Sequence, residues 1–246
     1  MKAPAADQTT LLQVQAHDTA LHQLGHKRNR LPELAQLTAV RQELTGLRED
    51  VEEAKLAAAE VRRDLTRVED EMTKVEERRQ RDQERLDSGG GTSRELVSLQ
   101  QEIEVLVRRH GVLEEAALEQ MELAEQAQAR QSELESKVAQ LTQQETELES
   151  ALAVQMAEID AAAAQEKTLR DQLATGLDAG LLQLYQRLRE RLGGVGAAAL
   201  VQRRCEGCGI DLNASDLSAI RKLEPDDVAR CEECTRILVR GEDSGL

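Results

Sequence analysis

The sequence predicts a mainly α-helical fold, in which a long antiparallel coiled-coil hairpin precedes a small C-terminal domain with short β-strands. Three observations support this prediction. The 246 residues include no Phe, no Trp and one Tyr, Tyr185, although aromatic side chains supply much of the buried area in ordinary globular cores. Apolar residues recur at heptad spacing along most of the chain, and two cysteine pairs lie near its end. This composition argues against a conventional two-domain enzyme.

The heptad pattern occupies two long segments. From Leu37 to Leu86, apolar residues alternate at spacings of three and four, and Arg79 and Asp82 are the polar exceptions. The same spacing continues from Leu96 to Leu173 with more frequent polar exceptions. A repeat sustained over this length is typical of a coiled coil.

A Gly-rich turn at residues 88–93 separates two arms, at about residues 7–87 and 94–174. Two heptad helices joined by a short loop fold back antiparallel, so residues 1–174 form the predicted hairpin. The register places Asp7 opposite Ala174 and Pro32 near Glu149. We expect a kink near Pro32, because proline removes a backbone donor and crowds the preceding turn.

A short helix is predicted to connect the hairpin to the C-terminal domain, within residues 175–194. Asp178 is a suitable N-cap, and Gly193 and Gly194 end the helix.

The C-terminal domain, residues 195–246, contains all four cysteines: Cys205, Cys208, Cys231 and Cys234. Two C-x-x-C pairs at this separation are typical of a tetrahedral four-thiolate site for one structural Zn²⁺, which makes the domain a C4 zinc ribbon with short β-strands. Such a site has no open coordination position, so hydrolytic zinc catalysis is not expected. Two redox dithiols or unrelated buried cysteines are the alternatives. Because the domain lacks aromatics, the metal should supply much of its folding free energy.

These motifs resemble the bacterial family of C4-type zinc-ribbon proteins with a long N-terminal coiled-coil hairpin, particularly members from high-GC Gram-positive bacteria. The resemblance covers nearly the whole chain and rests on the following motifs: Cys205-x-x-Cys208-Gly209, Cys231-x-x-Cys234, Arg236-Ile237-Leu238-Val239, Leu96-x-x-Leu99-Gln100-x-Glu102-Ile103, Leu113-Glu114-Glu115, Met121-Glu122, Leu181-Leu182-x-x-Tyr185 and Gly194-Val195-Gly196. It implies a nucleic-acid-binding zinc-ribbon protein, or a chaperone or adaptor that binds transcription or secretion components.

Basic residues of the ribbon are the candidate contacts for nucleic acid or a partner: Arg203, Arg204, Arg221, Lys222, Arg230, Arg236 and Arg240. Acidic residues outnumber them in the same segment, and no aromatic is present there to stack on bases. The formal net charge of -15 also disfavours broad binding to phosphate backbones.

The favoured function is a non-enzymatic adaptor or chaperone-like protein that binds a protein partner through hairpin and ribbon. The alternative is an RNA- or DNA-binding regulator that uses a basic face of the ribbon, and a third reading is a redox or zinc-storage protein. The sequence has neither a membrane span nor a secretory signal, which predicts a cytoplasmic protein with no membrane partner, and no small-molecule substrate is expected. The choice between monomer and dimer stays open, since Leu56, Val107 and Leu118 lie outside the seam.

Overall fold

The computed structural model of the protein describes residues 1–246 and is mainly α-helical, as predicted. Its elements in chain order are α1 (Ala5–Asn29), α2 (Pro32–Asp87), α3 (Ser93–Thr175), α4 (Ala179–Arg191), β1 (Ala197–Val201), β2 (Arg204–Cys205), β3 (Ile210–Asp211), α5 (Ala214–Arg221), β4 (Ala229–Arg230), β5 (Ile237–Arg240) and a 3₁₀ turn (Glu242–Ser244). Two compact units divide the chain: a middle unit, Ala35–Glu149, and a terminal unit, which combines Met1–Leu34 with Ser150–Leu246. No helix is long and apolar enough to span a membrane.

The middle unit is an antiparallel pair of helical arms. Its seam buries apolar residues of both arms, among them Leu44 on α2 and Leu113 on α3. Ion pairs beside the seam join Arg41 to Glu145 at 2.7 Å and Arg109 to Glu71 at 3.3 Å. The seam therefore follows the heptad pattern, because only the residues spaced at three and four positions face the other arm.

The turn of the hairpin is held by a capping box at the start of α3. The Thr92 amide donates to the Glu95 carboxylate at 2.7 Å, and the Glu95 amide donates to the Thr92 hydroxyl at 3.4 Å. The pKa of Glu95 is lowered because its carboxylate accepts from the amide and the hydroxyl of Thr92. Gly89 adopts a left-handed φ of 64°, which glycine tolerates without steric cost.

At Pro32 the structure shows a break between two helices rather than a kink within one arm. Helix α1 ends at Asn29, and Pro32 is the first residue of α2, where a missing N–H costs no hydrogen bond. Glu33 accepts from Gln155 at 2.6 Å, so the register at this level lies between one and two helical turns beyond the expected Glu149. Nearer the turn, the pair Arg109 and Glu71 keeps the expected register, so the displacement is confined to the part of the arms farther from the turn.

In the terminal unit, α1, α3 and α4 meet around a buried polar cluster. The Tyr185 hydroxyl donates to Asp18 Oδ2 at 2.6 Å, and Arg170 Nε donates to Asp18 Oδ1 at 3.3 Å. Arg189 Nη2 lies 3.4 Å from the same Oδ1 atom. The only aromatic side chain in the protein is thus fully buried and fixed by hydrogen bonding to a buried carboxylate.

The ribbon is a five-stranded sheet in the order β3-β2-β1-β5-β4. Strands β1 and β5 run parallel with Ala199 opposite Val239, and the other neighbours are antiparallel. The N-terminal residues run along the segment before β4: the Ala3 amide donates to Asp226 O at 2.8 Å, and the Val228 amide donates to Met1 O at 3.0 Å. The N-terminus of the chain therefore packs directly on the metal-binding domain.

Candidate metal centre

Two similar turns carry the four cysteines. The first lies between β2 and β3, where the Gly209 amide donates to Cys205 O at 2.8 Å, and the second follows β4, where the Thr235 amide donates to Cys231 O, also at 2.8 Å. Both turns end in a left-handed residue, with φ 72° at Gly209 and 62° at Thr235. A non-glycine residue is strained there, which indicates that the surrounding contacts hold the second turn in place.

An arginine braces each turn in the same way. Arg204 Nε donates to Gly209 O at 2.8 Å, while Arg230 donates to Thr235 O from Nε at 3.0 Å and from Nη2 at 2.8 Å. Each arginine directly precedes the first cysteine of its pair. The guanidinium therefore closes a loop that begins and ends beside the metal ligands.

The four sulfur atoms form one cluster, all within 4.8 Å of one another. Cys205 Sγ lies 3.9 Å from Cys234 Sγ, and Cys208 Sγ lies 3.9 Å from Cys231 Sγ. A tetrahedral zinc with Zn–S bonds of about 2.3 Å requires sulfurs about 3.8 Å apart, whereas a disulfide requires about 2.05 Å. The residues therefore fit one structural Zn²⁺ held by Cys205, Cys208, Cys231 and Cys234.

The pKa values of the cysteine thiols are shifted in different directions by their surroundings. Burial raises the pKa of Cys205 to about 12, against the opposing effect of the Cys208 and Gly207 amides, and burial likewise raises the pKa of Cys231. For Cys234 burial opposes ionisation, but hydrogen bonds from the amide and side chain of Arg236 and from the thiols of Cys231 and Cys208 together lower the pKa to about 7. Because a cation takes over the proton's place on a coordinating thiol, a bound zinc would keep all four as thiolates.

Five of the seven basic candidates donate to backbone carbonyls of the ribbon or of the segment just before it. Besides Arg204 and Arg230, Arg203 Nε donates to Gly245 O at 3.2 Å. Arg236 donates to Val195 O at 2.9 Å and to Leu192 O at 3.1 Å. Their guanidinium groups are engaged in holding the ribbon together, which leaves fewer donors for an external phosphate.

Arg240 has the most extensive bonds of this set. It donates to the carbonyl of Ile220 in the last turn of α5 and to four carbonyls between α5 and β4, those of Leu223, Glu224, Pro225 and Asp227, at 2.6 to 3.4 Å. A planar guanidinium offers five N–H donors in a fixed fork, so this one side chain organises the whole loop.

Arg221 and Lys222, at the end of α5, have no hydrogen-bonded partner for their side chains and are exposed. The seven basic residues therefore differ in their surroundings, since five are bonded to backbone carbonyls and two are not. The bracing role of Arg204 and Arg230 had a signal in the sequence, because Arg-Cys-Glu occurs at the start of both cysteine pairs. No such signal marks Arg236 or Arg240.

Comparison with protein-family models matches both parts of the chain. Residues 14–193 match the CT398-like coiled-coil hairpin domain, and residues 204–238 match the C4-type zinc ribbon domain. The chain belongs to the CT398-like coiled-coil hairpin family. Neither of the two family descriptions names a catalytic domain.

Relatives of this family match the chain over nearly its full length. The uncharacterized protein Rv2229c of Mycobacterium tuberculosis strain H37Rv and the uncharacterized protein MT2288 of strain CDC 1551 are each 35% identical over 98% of both chains. A solved structure from Mycobacterium smegmatis has 31% identity and a TM-score of 0.84, and covers 98% of this chain and 100% of its own. The resemblance to high-GC Gram-positive members is thereby confirmed.

More distant structures share the fold alone. CT398 from Chlamydia trachomatis has 19% identity and a TM-score of 0.65, with 96% of this chain and 98% of that chain covered. HP0958 from Helicobacter pylori has 16% identity and a TM-score of 0.51, with 98% and 99% covered.

Proposed function

We propose that this protein is a non-enzymatic, chaperone-like adaptor in the cytoplasm that binds a protein partner through its hairpin and its zinc ribbon. Four free thiols in one cluster suit a compartment in which cysteines stay reduced. The zinc is structural in this proposal, because four thiolates leave no coordination position for a substrate.

The observation that carries the proposal is a row of apolar side chains left exposed on α3. Val107, Leu118 and Met121 expose 52%, 61% and 46% of their surface, and heptad spacing places them on one side of the helix. Exposed apolar residues grouped on one face are characteristic of protein-binding surfaces. Glu104 and Glu114 flank the same row and are exposed, so the surface fits the apolar face of a basic amphipathic helix.

The ribbon offers a second surface of similar chemistry. A groove between α5 and the second cysteine turn has an apolar lining that includes Leu223 and Val228. Three acidic residues also line it, Asp216, Glu232 and Glu233, against one basic residue, Arg230, whose guanidinium is bonded to Thr235 O. Acidic and apolar groups together favour a basic protein segment over a nucleic-acid backbone. The inward bonding of five of the seven basic candidates is a further reason to prefer a protein partner to RNA or DNA.

The test compares two variants in the native host. Val107→Ser/Leu118→Ser removes the proposed surface, and Val105→Ser/Val112→Ser removes similar exposed side chains from another side of the same helix. We expect one or more proteins to copurify with the zinc-loaded wild type and with the second variant after nuclease treatment, and to be lost with the first. Equal copurification with both variants, or recovery of nucleic acid alone, would refute the proposal.

A direct binding assay addresses the nucleic-acid alternative. Phosphate contacts strengthen steeply as salt is lowered, so a nucleic-acid-binding protein should bind RNA or DNA at about 50 mM salt. We expect the purified wild type to bind neither at that salt concentration.

A further inference from the structure

A second row of exposed residues on α3 lies on a different side from Val107 and Leu118. Val105, Val112 and Leu123 expose 55%, 61% and 42% of their surface, and Ala116 is half-buried between them. Their alternating spacing of seven and four residues keeps them on one stripe of the helix. This stripe is separate from the seam that faces α2, where Ile103, Leu106 and Leu113 are buried.

The order of residues along this stripe is self-complementary about Glu114. Each apolar residue before Glu114 has an apolar counterpart the same number of positions after it: Val105 has Leu123, and Val112 has Ala116. Arg109 and Glu119, which are exposed on the same stripe, are likewise equally distant from Glu114 and opposite in charge. When the stripe is reversed end to end, apolar residues therefore face apolar residues and the cation faces the anion.

We propose that this stripe is a homodimer interface, on which α3 of a second copy packs antiparallel about a two-fold axis that passes midway between Val112 and Ala116, at the level of Glu114 along the helix. A two-fold interface uses the same patch on both chains, so every contact occurs twice. The facing pairs are Val105 with Leu123 of the second copy, Arg109 with Glu119 of the second copy, and Val112 with Ala116 of the second copy. The contact runs for about 27 Å along the helix, at 1.5 Å per residue.

The charge on the two rows explains why a second copy fits this stripe and not the other. The row with Val107, Leu118 and Met121 carries Glu104 and Glu114 but no basic residue, so self-pairing there would bring only like charges together. On the proposed interface, Arg109 already contacts Glu71 of its own chain through Nη2 at 3.3 Å. Its guanidinium has further N–H donors, and these would bind Glu119 of the second copy.

The test measures association of full-length, zinc-loaded protein by sedimentation equilibrium over a wide range of concentration. The wild type is expected to form dimers. Arg109→Glu alone and Glu119→Arg alone each place two pairs of like charges in the interface and should weaken the dimer by about tenfold or more. Val107→Ser/Leu118→Ser is the matched control and should dimerise like the wild type.

Mixing the two single variants is the decisive measurement. In a mixed dimer, the acidic side chain introduced at position 109 faces the basic one introduced at position 119, and the two unchanged residues face each other as in the wild type. The mixture should therefore dimerise better than either variant by itself, and so should the double variant Arg109→Glu/Glu119→Arg. Both positions are exposed, so far-ultraviolet circular dichroism should show unchanged helix content.

Three results would overturn the proposal: a wild type that is monomeric at every concentration, single charge reversals that associate like the wild type, or a mixture that associates no better than its components. The proposed adaptor function does not depend on this interface. Loss of partner capture with the Val107→Ser/Leu118→Ser variant can therefore be observed whether or not the dimer forms.

Discussion

The buried carboxylate of Asp18 is the most consequential polar group in the terminal unit, and its replacement gives a quantitative test. Its side chain is 3% exposed and faces Tyr185, Arg170 and Arg189. The substitution Asp18→Asn preserves the size of the side chain and removes its charge. Two guanidinium groups then lose a counter-charge, and the Tyr185 hydroxyl loses an ionised acceptor.

The size of the effect follows from burial. Removing one partner of a fully buried ion pair costs about 3–5 kcal/mol, and a hydrogen bond to a charged group contributes about 1.5–3 kcal/mol. The Arg170 and Arg189 side chains are 16% and 32% exposed, so water partly compensates their lost contact. We therefore expect Asp18→Asn to lower the free energy of unfolding of the terminal unit by about 3 kcal/mol, at the low end of the ion-pair range.

Tyr185 provides the assay. Because the protein has no Trp, no Phe and no other Tyr, its fluorescence reports on the terminal unit alone, whereas circular dichroism at 222 nm reports on all helices. Urea unfolding of zinc-loaded wild type and Asp18→Asn, followed by this fluorescence, gives the difference in unfolding free energy. Asp171→Asn is the matched control, because its carboxylate also contacts Arg170, at 3.1 Å, but is 51% exposed.

Exposed ion pairs contribute little to stability, so the control should unfold like the wild type. The reasoning is refuted if Asp18→Asn unfolds within about 0.5 kcal/mol of the wild type with an unchanged urea dependence. A loss as large in Asp171→Asn would show that burial does not decide the effect.

Three further predictions concern pH, the metal and the seam. Burial, followed by the bond to Asp18, raises the pKa of Tyr185 well above its ordinary value, so the unfolded chain loses this proton first. The free energy of unfolding, measured by urea titration, should therefore fall as pH rises above about 10, by at most about 1.4 kcal/mol per pH unit. In the Tyr185→Phe variant this free energy should depend less on pH. Cys205→Ser should reduce bound zinc below one per chain by atomic absorption and expose ribbon amides to hydrogen exchange, while most helical dichroism persists; full metal retention would contradict the four-thiolate site. Asp82 is buried in the seam with an Oδ2 atom that lacks a hydrogen bond, and its only ion pairs are long ones to Arg78 at 3.8 Å and Arg85 at 3.9 Å. Asp82→Leu should therefore raise the free energy of unfolding by about 1–2 kcal/mol, seen as a higher thermal midpoint by circular dichroism. A lower midpoint would show that Arg78 and Arg85 need this carboxylate.

Local patterns in the sequence were sufficient for the long helices of the hairpin and for the metal ligands, but not for α5 of the ribbon. Heptad spacing requires only that residues three and four positions apart share a helix face, so the seam from Leu37 to Leu86 could be predicted without tertiary information. Two C-x-x-C pairs likewise encode a four-thiolate site through spacing. The capping box of Thr92 and Glu95 shows the same principle at the turn, since both partners lie within one helical turn.

Contacts between residues distant in sequence could not be predicted as well from the sequence. The expected kink at Pro32 is a full helix break, and the register beside it is displaced from the expected one, although the register near the turn is not. The basic ribbon residues illustrate the same limit, because a formal charge does not say whether a guanidinium points to solvent or to a carbonyl. Arg240 donates to four carbonyls of one loop and to one in the last turn of α5, and no pattern in the sequence predicts these bonds.

The absence of Phe and Trp thus has two separate explanations. The hairpin does not need them, since Leu, Val and Ala at heptad positions fill a two-helix seam, and this follows from periodicity. In the terminal unit the zinc cluster follows from the cysteine spacing, whereas a second stabilising feature was accessible only from the folded chain: the buried Tyr185 and the Asp18 carboxylate, whose contacts join three helices. Periodicity acts within one helix and can be counted along the chain, whereas these contacts join segments more than a hundred residues apart and exist only after the chain has folded.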